Sequence, residues 1–269
     1  MIKWAYIRLV WRNNKGFAIF SMLFITLFQF LILYLVTTFD TMAIMSAILD
    51  QLPPMMKAFL QDSFFSMLTY DGAAAFGFNH PIVLTLLVIT AINIPAHHIT
   101  RETETGTLEL LLAHPFRRRS LIVSLWFSGC LILLLIIAAA LIGSFTSIIL
   151  FHHLTGEIII NLLQIGFNLW LFILLIFSIT MLIAVLSKQG IRAGNLSAIF
   201  TFVFYLLYFI AQLWDALAFT KPFNIFSYYE PQSLMLNKGN FQLDILVLGS
   251  LVLVCFGLSL WRFERRDIP

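Results

Sequence analysis

Residues 121–151 read LIVSLWFSGCLILLLIIAAALIGSFTSIILF, without one Asp, Glu, Lys, Arg or His. At 1.5 Å per residue, about 31 residues make a helix near 46 Å long. The hydrocarbon core of a bilayer is about 30 Å thick, so the helix tilts or leaves an end outside. A barrel strand alternates over about 10 residues, and this run is too long and too uniform for one. Only intra-helical pairing then satisfies its backbone in lipid.

Five more apolar runs without Asp, Glu, Lys or Arg lie at 17–38, 80–99, 162–186, 195–214 and 245–261. The composition agrees with six such spans. Hydrophobic residues make up 61% of the 269 and charged residues 11%, against about 45–50% and about 25% in soluble proteins. Mean hydropathy is +0.95. A soluble fold could not cover this apolar surface. The same figures exclude a disordered chain, a collagen-like repeat and a disulfide scaffold. Sixteen Lys and Arg with a net charge of +3 are too few for a nucleic-acid binder. The expected fold is an all-α integral membrane protein with six transmembrane helices in one domain, 1–269.

An even number of spans puts both termini on one side. The N-terminus, the stretches 100–120 and 187–194, and the C-terminus hold thirteen of the sixteen basic residues, leaving Lys57, Lys221 and Lys238 for the other side. The positive-inside rule places the first set, and so both termini, in the cytoplasm. The first span exceeds the 7–15 apolar residues of a signal peptide, and no A-x-A site follows it, so it reads as a retained anchor. Cys130 and Cys255 fall inside spans three and six, where they act as small apolar residues.

What the spans lack is equally informative. Ion-coupled transporters usually place Asp, Glu, Lys, Arg or His inside the membrane, but the middles of all six spans lack all five. Their polar side chains are mainly Gln29, Asn93, Gln164, Asn168 and Gln212, which more often hold helices together. Pro95, two residues after Asn93, predicts a kink in span two. The sequence has no H-E-x-x-H, G-x-S-x-G or P-loop pattern, so neither an intramembrane hydrolase nor an ATP site of that kind is expected. His97, His98 and Glu102 lie close enough to share a helical face, yet without a fourth ligand they read as a polar cluster at the membrane edge rather than a metal site.

The loop after span two carries the most specific signal. It runs Arg101-Glu102-Thr103-Glu104-Thr105-Gly106-Thr107-Leu108-Glu109-Leu110-Leu111-Leu112-Ala113-His114-Pro115-Phe116-Arg117-Arg118-Arg119. Gly106-Thr107 starts a short helix that Pro115 stops. Leu108, Leu111 and Leu112 form one apolar stripe, and Glu102 and Glu104 enrich the upstream end, where the helix dipole favours carboxylates. Two readings fit: a helix lying on lipid, anchored by Arg117–Arg119, and a docking helix whose leucines enter a partner's groove.

The pattern Glu102-x-x-x-Gly106-Thr107-Leu108-Glu109-Leu110-Leu111-x-x-x-Pro115-x-Arg117 resembles the coupling segment of type 2 ABC-transporter permeases. The resemblance extends to a basic, aromatic N-terminal stretch with Trp4, Arg8, Trp11 and Arg12, and to the basic loop Lys188–Arg192. It also takes in Asn224 to Pro231 before span six and the basic C-terminus.

Such permeases are six-span half-transporters that dimerise, with themselves or a related permease, and bind separate cytoplasmic ATPase subunits. The resemblance implies an ATPase-docking set of Glu102, Gly106, Thr107, Leu108, Glu109, Leu111, Leu112, Pro115 and Arg117. It implies an interfacial helix over 1–16 and a coupling segment over 100–120. External loops fall at 39–79 and 215–244, the first with two short helices on the outer face.

No catalytic, metal or cofactor site is expected on this chain; ATP and Mg²⁺ belong on the partner ATPase. The implied function is the membrane subunit of an ATP-driven exporter in the cytoplasmic membrane. Uncharged spans favour an amphiphilic or lipid-like cargo over a small ion. The alternatives are a non-transporting scaffold that recruits a cytoplasmic partner through the same loop, and a secondary transporter, which the uncharged spans disfavour.

Overall fold

The computed structural model describes residues 3–38, 69–101, 118–152, 155–187 and 190–265. Six segments are long and apolar enough to cross a membrane: Trp4–Thr38, Tyr70–Thr100, Arg118–Phe151, Gly156–Leu186, Arg192–Leu213 and Phe241–Glu264. The described residues contain no strand. The six-span, all-helical expectation holds.

Span one is a single helix, α1 (Trp4–Thr38), so the stretch 1–16 runs from Trp4 into the span without a break. Asn14 keeps its backbone helical, its Nδ2 donating to the Val10 carbonyl at 2.8 Å. The buried residues of α1 form a narrow stripe through Val10, Ala18, Ser21, Ile25, Gln29 and Leu33, recurring mostly every third or fourth position, as one helix face requires. The rest of α1 faces outward.

Span two is three pieces: α2 (Tyr70–Asn79), α3 (Pro81–Pro95) and a π-helical turn (Ala96–Arg101). It starts ten residues before the apolar run at 80–99, inside the stretch assigned to the outer loop 39–79. Asp71, Asn79 and two glycines dilute the hydropathy of Tyr70–Asn79, but Gly72, Ala73, Ala74, Ala75 and Gly77 are small enough to bury. Thr69 caps α2 by accepting from the Gly72 N–H at 3.1 Å. His80 is extended, as a residue before proline prefers, and Pro81 opens α3 where its missing N–H costs nothing. Pro95 has no N–H to give, and the chain widens into the π turn directly after it. At the position where a kink is expected, the helix changes type from α to π.

Span three is α4 (Arg118–Phe151) and span four is α5 (Gly156–Leu186), capped by Thr155, whose Oγ1 accepts from Ile158 N–H at 3.3 Å. Every residue from 171 to 178 of α5 is buried, so this helix is enclosed on all sides. It packs on α3, on α4, on α6 (Gly190–Leu213) and on α8 (Phe241–Glu264). Between α6 and α8 the chain forms two 3₁₀ turns, Asp215–Phe223 and Ile225–Tyr228, and the short α7 (Pro231–Met235).

Three ties gather the basic segments at one end of the bundle. The Lys3 N–H donates to Ser124 Oγ at 2.8 Å, Asn14 Nδ2 lies 3.4 Å from His98 Nε2, and Arg119 Nε lies 3.7 Å from Glu264 Oε1. The starts of α1 and α4, the end of span two and the end of α8 therefore share a side.

Candidate functional site

α6 is the loosest span. Its contacts with the bundle concentrate on α5, the π turn at one end and the first 3₁₀ turn at the other, and it barely meets α3. A groove of about 470 Å³ opens between α3 and α6 as a result. α3 supplies Leu84, Thr85 and Val88, and α6 supplies Thr201, Phe202, Tyr205, Tyr208 and Gln212. Thr201 spends its hydroxyl proton on the Ser197 carbonyl, 2.8 Å away. The groove is an aromatic, apolar cleft with amide and hydroxyl groups spaced along it and no Asp, Glu, Lys, Arg or His among its lining residues. Such a surface suits a large amphiphile better than a bare ion.

The end of the groove away from the π turn is built by the stretch between α6 and α8, and buried amides hold that stretch in place. Asn168 Nδ2 donates to the Tyr228 carbonyl at 3.1 Å, and Asn161 Nδ2 to the Met235 carbonyl at 3.0 Å. Asn224 bridges to α6 by donating to the Phe204 carbonyl at 2.8 Å while its Oδ1 accepts from the Phe226 N–H at 3.0 Å. Phe226 and Tyr229 line the groove. Their rings pack on Phe172 of α5, with Tyr229 stacked at a 5.0 Å centroid separation and Phe226 edge-on at 4.9 Å.

The Tyr229 hydroxyl donates to the Phe78 carbonyl of α2 at 3.1 Å. Burial pushes its pKa well above the usual value, so it remains a proton donor. Tyr229 thus joins the segment between α6 and α8 to the head of span two. Tyr229→Phe is expected to lower stability by about 1 kcal/mol, measured as a lower thermal midpoint in detergent.

The residues expected from the sequence divide between described and undescribed stretches. Glu102, Gly106, Thr107, Leu108, Glu109, Leu111, Leu112, Pro115 and Arg117 all lie outside the described residues, as do the two short helices expected within 39–68. His98 is fully buried, against the Tyr6 ring at 6.1 Å and beside Asn14, while His97 is exposed. His98 therefore fastens the start of α1 to the π turn. Among the described residues no group of three potential metal ligands occurs.

Of the span amides, Asn168 holds structure together as expected. Gln29 is fully buried with both polar atoms unpartnered, and packs against Gly77, where any side chain would collide with it. Gln212 lines the groove and Asn93 is exposed. Sequence reasoning missed Thr85, Thr201 and Tyr205, and reached Tyr229 only as part of the stretch Asn224 to Pro231. Their only signal was a hydroxyl-bearing side chain within or beside an apolar run, which says nothing about which helices become neighbours.

No curated protein matches the chain. The family model described as "ABC-2 family transporter protein" matches residues 10–268. Six apolar helices, uncharged at their centres and parted by a lateral groove, are the architecture expected of a transport subunit, and with almost its whole length matched the chain belongs to the ABC-2 transporter family.

Proposed function

We propose that this permease is the membrane half of an ATP-driven exporter, worked by a separate cytoplasmic ATPase. Its docking element is the segment Glu102–Arg117, with Gly106, Thr107, Leu108, Glu109, Leu111, Leu112 and Pro115 forming the contact. One observation carries the reading: the described chain enters that segment from the π turn Ala96–Arg101, which continues directly from α3, a wall of the groove. A displacement of the docking segment is thereby applied to a helix that borders the groove. ATP-driven closure of two ATPases supplies such a displacement.

The end of the bundle holding the basic segments faces the cytoplasm. Two copies, or this chain with a related permease, complete the pathway in the cytoplasmic membrane. Nucleotide and Mg²⁺ stay on the ATPase. The aromatic groove favours an amphiphilic cargo, moved outward.

Filling the groove tests this. Ala198 lines it and is exposed, so Ala198→Trp blocks the space without displacing core residues. In vesicles containing the permease and its ATPase, Ala198→Trp is expected to abolish ATP-dependent movement of fluorescent amphiphiles while the ATPase remains bound. Leu196→Trp is the control, because Leu196 is exposed and lies outside the groove lining. Equal transport by both variants would contradict the groove as the path.

A further inference from the structure

Residues 1–39 contain no Asp or Glu, and neither do residues 118–151. Arg8, Arg12 and Lys15 therefore have no carboxylate on their own helix or on α4, the helix on which α1 packs most extensively. At 3.6 residues per turn, Trp11, Trp4, Lys15, Arg8 and Arg12 share a sector of roughly 100°, with Ile7 at its edge. All three cations are exposed, and no acidic residue among the described ones pairs with them.

Their depth matters. α1 and α4 run in the same direction, tied at one level by Lys3 N–H to Ser124 Oγ and further along by Thr26 Oγ1 to the Ala139 carbonyl, each at 2.8 Å. Arg8 to Lys15 lie between those ties, level with an apolar part of α4. Cations beside an apolar, lipid-facing surface need a counter-charge or must reach for the headgroups.

A slot of about 200 Å³ lies between the same two helices, lined by Ile7, Trp11, Ser128, Leu131, Ile132 and Leu135. Its one hydroxyl, on Ser128, donates back to the Ser124 carbonyl at 2.7 Å, so the slot presents apolar walls. From Ser128 to Leu135 it follows α4 for about 10 Å, parallel to the direction in which an acyl chain lies. At one edge Trp4 closes on Phe127 at 6.5 Å, edge to face.

We infer that this junction is a binding site for one anionic phospholipid, with the acyl chain in the Ile7–Leu135 slot and the phosphate held by Arg8, Arg12 and Lys15. The headgroup supplies the negative charge that neither helix carries, and the two tryptophans flank it at the interface. The inference is independent of which cargo the groove carries and of ATPase binding.

Native mass spectrometry of the delipidated protein, with phosphatidylglycerol and phosphatidylcholine of matched chains added back, tests it. Phosphatidylglycerol is expected to remain bound, one per chain, at activation energies that strip phosphatidylcholine, and added salt weakens the preference. Arg8→Gln, Arg12→Gln and Lys15→Gln combined remove the preference. Ser128→Phe, which fills the slot, weakens retention of both lipids, and Lys221→Gln with Lys238→Gln at the opposite end leaves the preference intact. Equal retention of the two lipids by the wild-type protein would overturn the inference, whatever the variants do. So would an undiminished phosphatidylglycerol preference in a folded triple variant.

Discussion

Gly143→Leu is expected to destabilise the bundle by about 3 kcal/mol or more, at the upper end of overpacking costs. A side chain at Gly143 would meet the carbonyl oxygen of Thr26 and come within 3.0 Å of its Cα. Both are backbone atoms of α1, so no rotamer change relieves the clash and the two helices must part. The contact is among the most extensive in the molecule. Small residues spaced by four, Ala139, Gly143 and Ser147 on α4, permit the close approach, as in membrane helix pairs generally. Gly249→Leu is the control, since a side chain there meets nothing within 4 Å. The thermal midpoint in detergent should fall sharply for the first variant and stay put for the second; similar midpoints would mean that α1 and α4 are not packed in this way.

Gly106→Trp is expected to have the largest functional effect, the loss of ATPase binding and with it all ATP-dependent transport. The expected effect is steric. In the pattern that the segment resembles, Gly106 leads into a short leucine-striped helix that enters a cleft on the ATPase, and an indole at that position keeps the helix out. Folding should survive, because the change lies in a polar stretch between spans rather than within one. The two outcomes are separable: a monodisperse permease with a wild-type thermal midpoint and no bound ATPase supports the docking role. Full retention of the ATPase would remove the segment from the interface.

Much of the architecture was legible because membrane insertion imposes a simple sum. About 20 apolar residues in succession must span, and uncharged runs such as Leu121–Phe151 satisfy that without reference to any neighbour. Pro95 was legible for a similarly local reason, since a missing N–H disturbs a helix wherever it falls.

The parts that escaped depend on partners distant in sequence. Tyr70–Asn79 looks like loop until its alanines and glycines are seen to fit beneath α1, with Gly77 making room for Gln29. The stretch 214–240 has little helical pattern of its own. It is ordered by Asn161, Asn168 and Phe172 of α5, more than forty positions earlier. The groove was illegible because it follows from α6 leaning on its neighbours at its two ends and standing off from α3 between them. Hydropathy assigns a residue to a span but does not say which span faces which.

Charge connects these observations. The basic residues that mark the expected cytoplasmic face gather physically at one end of the bundle, where Arg119 meets Glu264 and His98 meets Asn14. The centres of the spans carry no Asp, Glu, Lys, Arg or His, and neither does the lining of the groove. Ion-coupled transporters place such groups inside the membrane, and their lack here supports the proposal that the energy comes from another protein.

Affinity purification of the tagged permease from membranes in a mild detergent tests that claim most directly. The expected result is a co-purifying protein with a P-loop ATP site, in a ratio of one per permease, whose ATP hydrolysis travels with the complex. A stable permease particle that transports its cargo with no nucleotide-binding partner present would contradict it.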